Sequence, residues 1–296
     1  MQTLEAIRRS IATAEELQSV VKAMKGMAAA GVRQFEGAVA SLAEYGRTVE
    51  YGLQVLLMSR PERLLRVEPR EAARLGVVLF GSDQGMCGRF NQQIVEHAVR
   101  AIGGYGLGPE GQPILIVGSR VLPLLEMAGL PVEAQVAPAT SLAGIAPLVQ
   151  EILARVEAWR SANGVDRIVL LYNEALGGAA YRAHTQQLYP VDLEWLRGLG
   201  ARDWPSGQLP MYTLEWGGLF ASLVREYFYV ALYRAAAESL ASENASRLAS
   251  MQAAERNIED RLDNLNLHFR HSRQQSITEE LLDIVSGFEA LSGGRG

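Results

Sequence analysis

The densest group of residues able to do chemistry is the glycine loop "GSDQGMCGRFN", Gly81 to Asn91. It follows an apolar run and opens a helical pattern, which is where a nucleotide-binding turn would lie. Its glycines, Gly81, Gly85 and Gly88, miss the G-x-G-x-x-G spacing, and no Lys-Ser or Lys-Thr follows as a Walker loop requires. A helix N-terminus at this point can still accept an anion. The simpler reading is a structural strand-to-helix turn whose glycines supply positive φ, with Asn91 at its exit. Cys87 needs a neighbouring base to act as a nucleophile. His97 falls about two and a half turns along the same helix, too far to be that base. A small buried thiol is the expectation.

The other histidines are His184, His268 and His271. The last two are three residues apart and could share a helix face, but the nearest acid, Asp263, falls off that face. Glu279 and Glu280 are adjacent, so on a helix they point in different directions and make no acid/base pair. The residues therefore predict no catalytic set, no metal site and no cofactor.

A different kind of stretch is "VKAMKGMAAAGVRQ", Val21 to Gln34. It holds both lysines of the chain, Lys22 and Lys25, with Met24 and Met27 among its eight methionines, three consecutive alanines and then Arg33. A helix with basic spots beside small, soft side chains suits a surface that must repack against a partner.

The elements that would position these residues fall into three parts. In the first, apolar or small residues recur at steps of three and four: Leu4, Ile7, Ile11, Ala14, Leu17, Val21, Met24, Ala28, Gly31, Phe35, Ala38, Leu42, Tyr45, Val49, Gly52, Leu56. This heptad row predicts a helix over 1–59, roughly 80 Å long, with one stammer near Leu17 and Pro61 as its breaker. The last part, 212–290, repeats the pattern through Leu223, Tyr227, Val230, Arg234, Ala237, Ala241, Asn244, Leu248, Met251, Glu255, Ile258, Leu262, Leu265 and Phe269. Helices so far above the ordinary 11 or 12 residues need a partner along their length. Asn244, Glu255 and Arg234 on that row would fix register or mark a helix that outruns its partner. Gly26, Gly31 and Gly37 are unusual inside a helix and should each cost around 1 kcal/mol against Ala.

Between the helices, 75–200 alternates strand and helix. "RLGVVLFGS", "QPILIVGS", "PVEAQVA" and "VDRIVLLYNEA" read as strands, and "AAYRAHTQQLYPV" as extended. Helices lie between them, one of them ended by Gly164. This predicts a mostly parallel sheet with helices on its faces. The fold class is α/β: a long antiparallel coiled coil of N- and C-terminal helices with an inserted Rossmann-like α/β domain. The alternative arrangement is two separate interaction helices flanking an enzyme domain.

Bulk properties agree. At 296 residues the chain has room for a sizeable core, and it is 48% hydrophobic and 21% charged. A net charge of −5 disfavours a general nucleic-acid binder. One cysteine permits no internal disulfide, which fits a reducing compartment. No apolar run reaches the roughly 18 residues of a membrane span, and the amphipathic N-terminus with three glutamates resembles neither a signal nor a transit peptide.

Three stretches together resemble one family. "KAMKGMAAAGVRQ" resembles the Lys-Ala-Met-x-Met-Ala-Ala stretch of the γ subunit of F-type ATP synthases. "GSDQGMCGRFN" is similar to its Ser-Asp-Arg-Gly-Leu-Cys-Gly turn, with Gln84 where Arg is usual. "SENASRLASMQAAERN" and "RQQSITEELLDIVSG" resemble its C-terminal helix, the latter carrying the specific Arg-Gln-x-x-Ile-Thr-x-Glu-Leu signature. The opening "LEAIRRSIATAEELQ" is similar to the sodium-linked branch called N-ATPase. The resemblance covers essentially the whole chain.

It implies a non-catalytic central-stalk rotor, without cofactor or metal. The shaft would enter the hexamer of alternating α and β subunits, while the α/β insert rests with ε on the membrane c-ring. The chain itself would not insert into the membrane; it would sit peripherally at the cytoplasmic face of a bacterial inner membrane. Lys22, Met24, Lys25, Met27 and Arg33 would meet the β subunits, with Gln274 and Thr278 near that contact and Arg247 and Met251 facing it too. The rival is a nucleotide- or phosphate-binding α/β enzyme with coiled-coil dimerisation arms; a static scaffold is a third reading. Coupling ion, proton or sodium, lies in the ring and not in this chain.

Overall fold

The computed structural model describes residues 3–60, 74–106, 112–162, 164–178, 180–208 and 210–292. Two compact units result, Ala28–Leu248 and the pair of segments Met1–Met27 with Ala249–Gly296. Helix α1 (Leu4–Ser59) and helix α6 (Trp216–Ser292) contribute to both. Pro61 lies outside the described residues; α1 ends at Ser59.

In the larger unit a five-stranded sheet has the order β3-β2-β1-β4-β5. Strand β1 (Leu75–Phe80) is buried on both faces, as its unbroken apolar sequence requires of a central parallel strand. It pairs in parallel with β2 (Ile114–Val117) and with β4 (Arg167–Gly177), and β2 pairs in parallel with β3 (Ala134–Val136). Strand β5 (Ala180–Tyr189) returns antiparallel to β4, a hairpin that makes the sheet mixed. Alternation along β5 shows one half-covered face but no strand direction, so the sequence signalled it only as extended.

Helices α2 (Phe90–Gly104) and α3 (Leu122–Met127) cover one face of the sheet through Ile94, Val95, Ala98, Ile102 and Leu125. The other face carries α4 (Leu142–Ala162) and the middle of α6. Trp159 of α4 sits where a Cβ on Gly76 would come within 2.8 Å, so the strand must be bare at that point. Past α4, Gly164 takes φ +62, the left-handed stop its position predicted. The short helix α5 (Leu193–Ala201), capped by Asp192 accepting from the Glu194 N–H at 2.8 Å, packs Leu196 and Leu199 against Leu53 and Leu57 of α1.

Within this unit α1 and α6 are antiparallel: Gly31 meets Asn244, Gly46 meets Val230 and Gly52 meets Leu223. Between Phe228 and Arg247 α6 is buried on almost every side, because α1 covers one flank and the sheet the other. Its alanines and serines, Ala235, Ala236, Ala237, Ser239, Ala241 and Ser242, let three layers approach closely.

In the smaller unit Ile7, Ala14, Met251 and Leu265 are buried, and Lys25 forms an ion pair with Glu255. The α6 row continues at Ile258, Leu262, Leu265, Phe269, Ser272 and Ser276 and then stops; every side chain from Ile277 to Ser286 is exposed.

The fold class expected from sequence is the one observed, with one adjustment to the α1 row. Covered positions follow an unbroken period through Ile7, Ile11, Ala14, Gln18, Val21, Lys25, Ala28, Val32, Phe35, Val39, Leu42, Gly46, Val49, Leu53 and Leu56. There is no stammer: Leu17 and Tyr45 are 53% and 45% exposed, and the row runs one residue later, through Gln18 and Gly46.

Candidate functional site

The glycine loop leaves the C-terminal end of β1 and enters α2. Its conformation departs from the expected one. Only Gly88 of the three glycines has positive φ, at 57°, and Met86 adopts 59°. Gly81 is glycine for space: a Cβ would lie 2.4 Å from Cγ1 of Val121. Across the loop, a Cβ on Gly118 would lie 2.8 Å from the Ser82 backbone carbonyl, so the two βα loops press directly on each other.

A hydrogen-bond net fixes that contact. The Ser82 N–H donates to Oδ1 of Asn91 at 3.1 Å, and Nδ2 of Asn91 donates to Oγ of Ser82 at 2.8 Å. Ser82 Oγ in turn donates to the Gln84 carbonyl at 3.0 Å. Asp83 accepts from the Ser119 N–H at 2.6 Å, and the Arg120 N–H donates to the Ser82 carbonyl at 2.9 Å.

Cys87 is buried, and its Sγ is 3.7 Å from the Ser82 hydroxyl. Burial pushes the thiol up from its ordinary range, only partly offset by the Ser82 hydrogen bond, so it is held as an inert neutral group. His97 does not serve it; its Nε2 lies 2.7 Å from Oγ1 of Thr185 on β5, and burial, then the charge of Arg100, lowers its proton affinity. Among the described residues no cluster of His, Cys, Asp or Glu can hold a metal ion.

The strand order reverses direction at β1, where the chain goes to β2 on one side and later returns to β4 on the other. In an open α/β sheet the crevice outside that point takes the ligand. Here α6 of the same chain fills it. Ser246 Oγ donates to the Cys87 carbonyl at 2.6 Å, and Arg247 donates to the Gln84 carbonyl at 3.4 Å. Ser242 Oγ donates to the Asn173 carbonyl of β4 at 2.9 Å, while Asn173 Nδ2 donates to the Phe90 carbonyl at 3.2 Å. Arg247 also binds Glu243 at 2.5 Å, both side chains 8% exposed. Burial raises Glu243's proton affinity and the Arg247 pairing opposes it. These α6 partners, 69 to 163 residues away in sequence, carry no spacing signal, so the loop alone does not reveal them.

The helix residues singled out by sequence divide by exposure. Lys22, Met27, Arg33, Gln274 and Thr278 are exposed, Met27 at 67%. Met24 and Lys25 are partly covered, and the Lys25 ammonium is already paired with Glu255. Arg247 and Met251 are 6% and 3% exposed. Arg247 is covered through its pairing with Glu243 and the Gln84 carbonyl.

An α/β sheet whose ligand crevice is closed by a helix of its own chain, carried between two very long helices, defines a framework protein and argues against the nucleotide-binding reading. A family model described as ATP synthase matches residues 3–291, so the chain belongs to the ATP synthase family. It is 29% identical to the ATP synthase gamma chain of Phocaeicola vulgatus over 97% of this chain and 99% of that one. Among solved structures it resembles a chain of the Tetrahymena thermophila mitochondrial ATP synthase central stalk and c-ring, with TM-score 0.57 and 22% identity over 79% of this chain and 99% of that one. It also resembles a chain of the Euglena gracilis mitochondrial ATP synthase F1 and c-ring assembly in rotational state 3, with TM-score 0.64 and 17% identity over 99% and 95% of the two chains.

Proposed function

We propose that the chain is the central-stalk rotor subunit of a bacterial F-type ATP synthase, a gamma-type chain with no catalytic residues of its own. It carries torque between an ion-driven c-ring and an α3β3 hexamer, for ATP synthesis or ATP-driven ion transport. The observation that carries this reading is the plugged crevice: the site where such a sheet would bind a ligand is spent on anchoring α6. That anchoring makes sheet and helix one rigid part, which is what transmitting torque requires. Family membership and the gamma-chain relatives support it.

The contact surface for α3β3 is proposed as exposed Lys22, Met27 and Arg33 with the partly covered Met24, together with Gln274, Thr278 and the bare apolar residues Ile277, Leu281, Leu282, Ile284 and Val285. Small and soft side chains repack against each β subunit in turn; a contact favouring one orientation by about 1.4 kcal/mol would bias its population tenfold. The α/β domain is proposed to meet ε and the c-ring, at the cytoplasmic face of the inner membrane. No helix among the described residues is long and apolar enough to cross a membrane.

The test is affinity purification of the tagged chain from its native membranes, with the co-purifying polypeptides weighed and counted. Three α and three β subunits per copy with ATPase activity are expected. Recovery alone or as a homodimer, without ATPase, refutes the reading.

A further inference from the structure

A cavity of about 430 Å³ opens in the larger unit where α1, α6, β5 and α5 meet. The residues that give it chemistry are Arg234, Tyr227, Trp195, Gln186, Arg47 and Glu50. Its size falls in the range of small-molecule sites, about 300–1,000 Å³.

The charges around it are unevenly satisfied. Arg47 pairs with Glu44 on its own helix, and Glu50 lies 3.7 Å from Arg202. Arg234 is half-buried, yet no hydrogen bond or ion pair to its guanidinium occurs among the described residues. Glu238, one turn along α6, forms no ion pair with it among the described residues: burial and the charge of Glu174 raise its carboxyl to about 7 against the pull of Arg234, and its Oε2 has no hydrogen-bond partner among the described residues. A partly desolvated arginine with free donors is costly unless something completes it, and a carboxylate does so with two parallel bonds.

Beside that charge stands an aromatic wall. The rings of Trp195 and Tyr227 are 4.9 Å apart at 33° to each other, and Val230 and Ala231 are buried beneath. We propose that this cavity binds a small organic carboxylate with a flat apolar body, its carboxylate on Arg234 and its body against Trp195 and Tyr227. Gln186 supplies an amide to orient it. The inference does not rest on the rotor reading, since it concerns a different part of the molecule and needs no partner subunit.

Benzoate is the probe, titrated into the full chain with saturation-transfer NMR as readout. Saturable binding with Kd at or below about 1 mM is expected. Benzamide, neutral and of the same shape, and inorganic phosphate, charged but without the flat body, should each bind at least tenfold more weakly. Arg234→Gln should weaken benzoate at least tenfold without lowering the thermal midpoint of the free chain. Equal binding of benzamide or phosphate, or no saturable signal from benzoate, overturns the proposal. The benzoate–benzamide comparison is made on the unaltered chain, so it decides the matter even where the variant fails to fold. Full benzoate affinity in a folded Arg234→Gln chain overturns it as well.

Discussion

Replacing Gly31 by alanine separates two effects that usually travel together. In an unobstructed helix, Gly→Ala gains about 0.5–1 kcal/mol because the backbone loses less entropy on folding. Gly37 is such a place: an added Cβ meets nothing within 4 Å. At Gly31 the same Cβ would lie 2.7 Å from Oδ1 and 2.8 Å from Cγ of Asn244, well inside ordinary contact. Asn244 cannot simply turn away, because its Nδ2 donates to the Leu240 carbonyl at 2.8 Å. Overpacking of this kind costs about 1–3 kcal/mol. The net expectation is that Gly37→Ala stabilises the chain by up to about 1 kcal/mol while Gly31→Ala destabilises it by about 0–2 kcal/mol. Urea unfolding of the full chain followed by far-ultraviolet circular dichroism gives both. The double variant Gly31→Ala with Asn244→Ala should recover most of the loss. If Gly31→Ala stabilises as much as Gly37→Ala, the helices are not in contact at that residue and the antiparallel register given above is wrong.

Three other outcomes follow from named contacts. Glu238 has its folded proton affinity raised from 4.5 to about 7, chiefly by burial. The native state therefore holds a proton the unfolded chain has released, and stability falls as pH rises from about 4.5 through 7; Glu238→Gln should remove that slope and, allowing for partial solvent screening, stabilise the chain above pH 7 by about 1–2 kcal/mol, a comparison made by urea titrations at pH 5 to 8. Asn91→Ala strands the buried Ser82 N–H and should cost about 2–4 kcal/mol in the same assay, with Asn91→Asp intermediate because it keeps the acceptor but loses the donor. Met27→Lys adds a charge on an exposed position and should lower ion pumping relative to ATP hydrolysis in the reconstituted complex; an unchanged ratio removes that face from the coupling surface.

Much of the architecture was legible because it is periodic. The α1 row could be followed residue by residue, and its one error came from preferring apolar type over spacing: Leu17 and Tyr45 looked better than Gln18 and Gly46, which keep the period. The row read along α6 through Tyr227, Val230, Arg234, Ala237, Ala241 and Asn244 gave only one flank of its burial, since a helix covered by two layers has no polar face to give it phase. The direction of β5 was hidden for a similar reason, because alternation is the same in either direction. At the loop, the turn was foreseen but its reasons were not. Gly81 yields to Val121, a residue 40 positions away, and the serines of α6 that close the crevice have no local motif. The Lys22–Arg33 stretch was visible as composition; that Lys25 is claimed by Glu255 depends on a residue 230 positions away.

The dependence of the sheet on α6 also governs how the chain can be made. Val78, Phe80, Ile168 and Leu170 turn toward Phe228, Leu232 and Ala235, which leave the ribosome long afterwards. At about 5–20 residues per second, the first strand waits roughly 7–30 s for α6. During that interval a nascent chain shows an apolar sheet face that α4 covers only in part. Synthesis of this protein should accordingly lean on holding chaperones until its last quarter emerges, and truncation before Phe228 should yield aggregate instead of a free-standing α/β domain.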